Sequence, residues 1–325
     1  MTSRPFWHHN TETARTSERK AGGMKGYLIE KYSNMGAAYT CRRLIEEAAK
    51  RGILLELIGV HDCVLKDGAV YLVRGRDERI LKPVDFIINR FKTGLIKDAI
   101  NLLGQRSYNP PKPFSIYINK YEQIKHLASP AMIMPRSILG DSGTSFDSLR
   151  RQLGLPFVAK GLESSMGREV RLIRKAGDMA DLCHSPDGKF YPENKEWLFQ
   201  EFIHDSSGRD MRLFCIRGRI VSAMERVSLR EGDFRANVAL GASVRPIPVT
   251  ETFRSIGWDI YKETGLDFMG IDLLYGKEKP YFCEINVMPG IEGMEMASGL
   301  NLAGCIMDRI ADDFQNNKEE AGELS

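Results

Sequence analysis

Cysteine is scarce in this chain and is not arranged for cross-linking or metal binding. The 325 residues include six cysteines, and no two of them form a C-x-x-C pair. Several stand inside apolar runs, which is typical of buried, reduced thiols. The pattern disfavours a disulfide-stabilised secreted protein and a zinc site, and it favours a cytoplasmic protein. The six are Cys41, Cys63, Cys183, Cys215, Cys283 and Cys305.

Long hydrophobic runs and a strong charge of one sign are also missing. No apolar stretch approaches the ~18 residues that a membrane-spanning helix needs. The formal net charge of +3 is too small to argue for nucleic acid or a membrane surface as a partner, so we expect neither. Residues 1–23 are polar and aperiodic, which predicts a disordered extension without the apolar segment of a secretory signal.

The sequence shows no nucleophile with an activating base. Its histidines are dispersed, without metal-ligand spacing and without an evident Ser or Cys partner. This absence fits chemistry in which ATP, and not a protein side chain, activates the substrate. The six are His8, His9, His61, His126, His184 and His204.

Strands and helices alternate in the first third of the chain. Apolar segments at 26–29, 54–60 and 84–89 predict strands, and a helical pattern covers 37–51. A short hairpin is predicted over 62–73. This alternation indicates a small α/β domain with a mainly parallel sheet.

The stretch 270–290 contains two predicted strands joined by a turn at 276–280. Alternation places Asp272, Glu284 and Asn286 on one face. A turn centred on residue 278 sets Asp272 across from Glu284, where two carboxylates repel unless a positive charge lies between them. The opposite faces are apolar and should pack on a core. They carry Ile271, Leu273 and Tyr275 on the first strand, and Cys283, Ile285 and Val287 on the second.

Three oxygen ligands in one patch suit a hard divalent cation such as Mg²⁺. Because Mg²⁺ keeps part of its coordination shell for water and phosphates, the patch also suggests a nucleotide. A solvated polar face on a half-buried hairpin is the alternative interpretation.

Lys160 ends an apolar strand directly before the loop 161–167, which is rich in small residues. Such a loop lets backbone N–H groups approach phosphate oxygens, and a lysine adds a point charge. The loop lacks the G-x-x-x-x-G-K-[ST] order and joins two strands, so it is not a P-loop. An ordinary hairpin turn and a surface lysine are the alternatives, and Lys120, at the start of a helix, has a similar alternative.

Three arginines precede the carboxylate hairpin. Arg212 and Arg226 lie in predicted strands, and Arg235 lies in the following loop. An arginine inside a strand is costly unless it is paired or faces a charged ligand. Pairing within the protein, for example of Arg212 with Glu225, is the alternative to an anion site.

Taken together, these motifs resemble the ATP-grasp superfamily, and most of all its RimK-type amino-acid (glutamate) ligases. The resemblance covers about residues 24–312 and rests on the order and spacing of several motifs. They are Lys120, Lys160 with its loop, FQEFI (199–203), DMRLF (210–214), MERVS (224–228), DFRANVALG (233–241), GIDLL (270–274) and EINVMPGIEG (284–293).

The resemblance implies an α/β (α+β) chain with the ATP-grasp fold. An N-terminal α/β domain (24–118) would precede a central subdomain with a phosphate-binding flap (119–196) and a C-terminal subdomain with the metal site (197–314). The two subdomains would hold ATP between antiparallel sheets, and residues 315–325 would form a tail.

The resemblance also assigns nucleotide-binding residues. Lys120 and Lys160 would hold phosphates, Glu201 and Phe202 would receive adenine, and Asp210 would lie near the ribose. The flap and the loop beside the phosphates complete the set with Ser164, Ser165, Met166, Gly167, Arg235, Ala236 and Asn237.

Asp272, Glu284 and Asn286 match the ligands of two metal ions in that family. Arg212 and Arg226 match positions that face the substrate carboxylate or the acyl phosphate, so these two and Arg235 are the implied catalytic residues.

The chain departs from the family pattern at three places. Ser164-Ser165-Met166-Gly167 stands where a G-T-Q-G-like flap is common, Ala236 replaces a serine, and Val287-Met288 replaces small polar residues.

The implied activity is that of an ATP-dependent carboxylate–amine ligase. Phosphoryl transfer would make an acyl phosphate, an amine would attack it, and an amide, ADP and phosphate would form. The implied cofactors are ATP and two Mg²⁺ ions, with Mn²⁺ as an alternative ion. The partners would be an amino acid, with glutamate favoured, and a peptide, carrier-protein or coenzyme acceptor.

Such ligases are often dimers or tetramers, so a homo-oligomer is an expectation. Two alternatives stay open. They are a specialised-metabolism peptide ligase that uses another amino acid, and a nucleotide-binding regulatory protein without turnover.

Overall fold

The computed structural model describes residues 23–32, 34, 38–92, 94–164, 167–185, 188–192, 194–230, 232–236 and 241–322, the last six of these for the backbone alone. The predicted disordered extension lies outside the described residues, except for Gly23.

The N-terminal domain has a parallel sheet, as the alternation predicts. The order of its four strands is β2-β1-β6-β7, and every neighbouring pair is parallel. A separate antiparallel sheet, β3-β4-β5, adds a third strand to the predicted hairpin. The elements are β1 (Lys25–Glu30), α1 (Tyr39–Lys50), β2 (Leu54–Gly59), β3 (Cys63–Lys66), β4 (Ala69–Arg74), β5 (Asp77–Ile80), β6 (Val84–Asn89), α2 (Leu95–Asn101) and β7 (Gly104–Tyr108).

Helices α1 and α2 cover opposite faces of this sheet. Leu28 of β1 belongs to the same core as Leu44 of α1, and the next residue, Ile29, belongs to the core of Ile100 in α2. Adjacent residues of a strand point to opposite faces, so the short apolar run of β1 is buried on both sides.

The proline-rich segment after β7 begins a helix. Pro110, Pro111 and Pro113 predict a break in regular structure, yet α3 (Pro111–Tyr117) starts at Pro111. The first turn of a helix has N–H groups without intrahelical partners, so a proline there sacrifices no hydrogen bond.

The central subdomain is a four-stranded antiparallel sheet in the order β10-β9-β11-β8. Its hairpin β9–β10 confirms the predicted arrangement of strand, small-residue loop and strand. The elements are α4 (Lys120–His126), β8 (Ser137–Asp141), α5 (Phe146–Leu153), β9 (Phe157–Gly161), β10 (Val170–Ile173) and β11 (Glu196–Glu201).

The C-terminal subdomain is a five-stranded antiparallel sheet in the order β14-β13-β12-β15-β16. Helix α8 continues to Gly322, so the predicted tail from residue 315 is helical over most of its length. The elements are β12 (Arg209–Ile216), β13 (Arg219–Val227), β14 (Ser243–Pro246), α6 (Glu251–Thr264), β15 (Phe268–Leu274), β16 (Tyr281–Asn286), α7 (Glu292–Ser298) and α8 (Leu302–Gly322).

Two buried amide side chains hold the C-terminal sheet in place. Asn109 accepts a hydrogen bond from Phe268 N (2.8 Å) and donates to Phe268 O (2.7 Å) and Val287 O (3.0 Å). Gln123 of α4 accepts from Ile285 N (2.8 Å) and donates to Ile285 O (2.9 Å). Because β16 is an edge strand, Gln123 satisfies backbone groups that a neighbouring strand would otherwise bind. Helix α4 is thereby fixed against the carboxylate hairpin.

Among the described residues, no helix has the length and apolar character required to cross a membrane.

Candidate active site

The carboxylate hairpin has the predicted register at its centre. Asp272 of β15 lies directly across from Glu284 of β16. The register then shifts, because Leu273 pairs with Phe282 and leaves Cys283 as an extra residue. The prediction that Cys283 faces a core is therefore wrong. Phe282 is fully buried in the core, and Cys283 lines a cavity with its sulfur 3.7 Å from Lys160 Nζ.

That cavity is lined by predicted site residues that are far apart in the sequence. Residues of the four-stranded and five-stranded antiparallel sheets, of α4 and of the intervening loops line it. Ser165, Met166 and Asn237 lie outside the described residues. The other predicted residues all line the cavity: Lys120, Lys160, Ser164, Gly167, Glu201, Phe202, Asp210, Arg212, Arg226, Arg235, Ala236, Asp272, Glu284 and Asn286.

Asp272 is held by two arginines from neighbouring strands. Its side chain is 3% exposed. It accepts hydrogen bonds from Arg212 Nε (2.7 Å) and Nη2 (2.6 Å) and from Arg226 Nη2 (2.8 Å). Burial opposes ionisation, but the two guanidinium groups hold the pKa of Asp272 well below its usual range. Asp272 is therefore ionised at neutral pH.

Arg226 also binds Asp210 through Nε (2.6 Å) and Nη2 (2.8 Å). Burial disfavours its charge, but the carboxylates of Asp272 and Asp210 hold the pKa of Arg226 above its ordinary value. Two arginines and two carboxylates thus form a charge-balanced cluster on three adjacent strands. The alternative pairing of Arg212 with Glu225 is wrong, because Glu225 binds Arg245 and the hydroxyl of Tyr275.

Both predicted phosphate-binding lysines are buried in the cavity wall, so they are not surface lysines. Lys120 is 6% and Lys160 is 9% exposed. Lys120 Nζ donates to Ser164 O at 2.5 Å and lies 3.3 Å from Glu284 Oε2. Its backbone N–H donates to Leu162 O at 2.9 Å. Lys120 therefore connects helix α4, the β9–β10 loop and the carboxylate hairpin.

Lys92 also lines this cavity, and the sequence analysis missed it. Its Nζ donates to Glu163 O in the β9–β10 loop. Burial lowers the pKa of Lys92. A signal was present, since Lys92 follows the carboxyl end of the parallel strand β6, where ligands of α/β sheets commonly bind.

Arg235 joins the loop after β13 to the β9–β10 loop. Its Nη1 donates to Gly167 O at 3.2 Å, and its Nε lies 3.0 Å from Asp233 Oδ1. The adjacent Ala236 is buried. Arg235 is thus fixed at the cavity wall by one backbone and one carboxylate partner.

Residues at the end of β11 and directly after it also line the cavity. Glu201, the last residue of β11, accepts hydrogen bonds from the backbone and side chain of Arg136. Phe202 follows and packs edge-on against Phe234, with 6.0 Å between ring centroids. Aromatic and aliphatic walls of this kind suit a flat base.

The donor set on the hairpin fits a hard cation. Counting only partners among the described residues, Asp272 Oδ1 accepts one hydrogen bond and Asn286 Oδ1 accepts one from Met288 N at 2.9 Å, which leaves each oxygen a lone pair. Glu284 is partly exposed at 27%. Within the part of the chain that the structure describes, no group of three His, Cys, Asp or Glu side chains is placed to hold a metal.

Residues 118–310 match the model of the RimK-like ATP-grasp domain. The chain belongs to the RimK-like ATP-grasp family. It is an ATP-dependent carbon–nitrogen ligase with the predicted ATP-grasp fold. A probable alpha-L-glutamate ligase of Xanthomonas oryzae pv. oryzae (strain MAFF 311018) is 28% identical over 295 residues, which cover 88% of this chain and 97% of that relative.

Two solved structures are similar in fold. The macrocyclase MdnC of Microcystis aeruginosa MRC, bound with the precursor peptide MdnA, has a TM-score of 0.64 at 15% identity, covering 89% of this chain and 100% of that chain. The ATP-grasp ligase PsnB, complexed with minimal precursor, Mg and ADP, has a TM-score of 0.61 at 15% identity. The match covers 87% of this chain and 96% of the PsnB chain.

Proposed function

We propose that this ligase adds an amino acid, with glutamate as the first candidate, to a peptide acceptor through an acyl phosphate. The observation that carries the proposal is the convergence of Lys120, Lys160 and Arg235 with the Asp272–Glu284–Asn286 ligand set around one cavity. The phosphates of a nucleoside triphosphate need such positive charges, and the divalent cation that accompanies them needs such oxygen ligands. The probable glutamate ligase among the relatives supports the choice of amino acid, and the precursor peptide bound to MdnC supports a peptide acceptor.

The proposed reaction has two steps, phosphoryl transfer and aminolysis. A carboxylate oxygen takes the γ-phosphoryl group of ATP, the bond to the β-phosphate oxygen breaks, and ADP leaves. The amine then attacks the acyl carbon, phosphate leaves with the bonding pair, and the ammonium loses a proton to give an amide. The first step is needed because an oxide is a poor leaving group and a phosphate is a good one.

Asp272, Glu284 and Asn286 would hold Mg²⁺. Bound there, the metal neutralises phosphate charge and aligns the transferring group. Lys120, Lys160 and Lys92 would contact the phosphates, because their ammonium groups lie beside the β9–β10 loop or in the cavity wall.

The three arginines would have different roles. Arg212 keeps 15% of its side chain exposed, so it is proposed to face the reacting carboxylate. Arg235 is proposed to place its positive charge beside the negative charge that develops in the transition state. Arg226 is 4% exposed and bound to two carboxylates, so we propose that it positions Asp272 and Asp210.

To test this proposal, ADP release is measured with Mg²⁺-ATP and each of twenty amino acids, alone and with candidate acceptor peptides. The masses of the products are determined by mass spectrometry. We expect release that depends on glutamate and on a peptide, with a product heavier by one or more glutamate residues. ATP binding without release under all these conditions would favour a regulatory nucleotide-binding protein.

Variants at the ligand set test the site. Glu284→Gln and Asn286→Asp should lower kcat by a factor of about 100 or more, because charge stabilisation of a phosphoryl transfer is worth several kcal/mol. Glu278→Gln is the matched control, since Glu278 lies in the exposed turn of the same hairpin and does not line the cavity. Wild-type turnover by both site variants would refute the assignment.

A further inference from the structure

Strand β10 has one edge without a neighbouring strand among the described residues, although the outward Val170 O accepts a hydrogen bond from Arg171 and Arg174 N–H donates to Asp178. It is the terminal strand of its sheet, where its neighbour is β9. Gly161 N donates to Glu169 O, so Glu169 and Gly161 form a hydrogen-bonded pair, and such pairs recur at every second residue. The backbone N–H and C=O of Leu172 therefore point away from β9. Among the described residues they have no hydrogen-bond partner.

The groove along this edge is basic. Arg171 and Arg174 of the β10 segment line it together with Arg230 from the loop after β13. Among the described residues, none of these three arginines forms an ion pair with a carboxylate, and Arg171 donates only to backbone carbonyls. Asp233 also lines the groove, but Arg235 binds it. The groove thus has an excess of positive charge.

The groove continues to the proposed reaction site. Phe234 and Arg235 line both the groove and the nucleotide cavity. Arg235 also donates to Gly167 O in the loop that connects β9 with β10. A chain lying along β10 would therefore lead toward the residues proposed to act on the acyl phosphate.

We propose that this groove is the docking site for the acceptor, an extended acidic peptide that adds to the edge of β10 as a further strand. An unpaired strand edge binds an extended chain through main-chain hydrogen bonds. The three arginines select carboxylate side chains, because none of them is paired with a carboxylate among the described residues. The inference rests on the proposed ligase function for the peptide's role as acceptor, but not for its binding.

Fluorescence anisotropy of fluorescein-labelled hexaglutamate with the full chain, at low salt, tests the docking site. Arg174→Glu combined with Arg230→Glu should weaken binding about tenfold, because two exposed attractions become repulsions. Arg151→Glu is the matched control, since Arg151 is exposed on α5 of the same subdomain and does not line the groove. An equal loss in the control would overturn the site.

Two further peptides separate strand addition from simple charge attraction. Hexaglutamate methylated at every backbone nitrogen keeps its charge but cannot donate main-chain hydrogen bonds, and we expect it to bind at least tenfold more weakly. Hexaglutamine keeps the backbone and loses the charge, and it should also bind weakly. Equal binding of the methylated and parent peptides would refute strand addition. Failure of the wild-type chain to bind hexaglutamate would mean that the arginines only protect the edge from self-association.

ADP release measured in the same samples distinguishes this inference from the proposed function. Peptide binding that follows the expected pattern, without ADP release for any amino acid, supports the docking site. The same result contradicts the proposal that the enzyme adds an amino acid to such a peptide. Glutamate-dependent ADP release without hexaglutamate binding supports the ligase function and refutes this docking site, and the acceptor then binds elsewhere.

Discussion

Asp272→Asn should destabilise the protein by removing the negative centre of the buried ion cluster. Asp272 accepts three hydrogen bonds of 2.6–2.8 Å from two arginines. The amide keeps one acceptor oxygen and turns an N–H₂ group toward a guanidinium. Breaking a buried pair from one side costs roughly 3–5 kcal/mol. Arg226 retains Asp210, whereas Arg212 loses its carboxylate partner, so we expect about 3 kcal/mol.

The assay is thermal unfolding without nucleotide. A loss of about 3 kcal/mol corresponds to a fall in Tm of roughly 4–5 °C for a chain of this size. Because the pKa of Asp272 is lowered in the folded state, its stabilisation is present above the unfolded pKa of about 4 and is lost as the pH falls below that value. The Tm difference between wild type and variant should therefore be constant near neutral pH and shrink below pH about 4.

Glu284→Gln is the control for this prediction. Glu284 carries the same charge on the paired strand, but it is more exposed and has one cation, Lys120, at 3.3 Å. Its loss should cost about 1–2 kcal/mol while still impairing turnover, because the buried Lys120 loses its carboxylate neighbour but keeps its hydrogen bond to Ser164 O. A Tm for Asp272→Asn equal to that of Glu284→Gln, or within about 2 °C of wild type, would refute the reasoning about the cluster.

Three further predictions concern the cavity wall. Lys92→Met should raise the KM for ATP about tenfold by removing a phosphate contact, whereas Lys82→Met, at an exposed site of the same domain, should leave the KM unchanged in steady-state assays. Gln123→Leu should lower the free energy of unfolding in urea by about 2–4 kcal/mol, because the outward N–H and C=O of Ile285 lose their partners, and an unchanged midpoint would contradict this role. Desolvation raises the pKa of the cavity-lining Cys283 thiol to about 11, so iodoacetamide should label it slowly at neutral pH and faster as the pH rises, and rapid labelling near pH 7, quantified by peptide mass spectrometry, would contradict the raised pKa.

Periodicity along single strands predicted a large part of the architecture. The alternation around Asp272 and Glu284 gave their cross-strand pairing, because the side-chain period of a strand and the length of its turn fix the register. The same local pattern failed at Cys283, where a bulge moves the thiol from the core to the cavity. A bulge inserts one residue without altering the hydrophobic character of the sequence, so the pattern contains no signal for it.

The short elements that the sequence analysis missed depend on packing. Strand β7, strand β14 and helix α7 have between four and seven residues. Elements of that length are not stable alone and form where neighbours supply hydrogen bonds and apolar surface. For β14 the neighbour is β13, which pairs with it over four residues.

The sequence by itself determined which residue types were available for the chemistry: lysines beside a small-residue loop, arginines in strands, and carboxylates with an amide on a hairpin. Only the tertiary structure decided their partners. Arg212 and Asp272 are 60 positions apart and meet because β12 lies beside β15, whereas Glu225, much nearer in sequence, points to the other side of its sheet. Strand order follows from the burial of whole faces and not from any local pattern, so the charge-balanced cluster could be seen only in the folded chain.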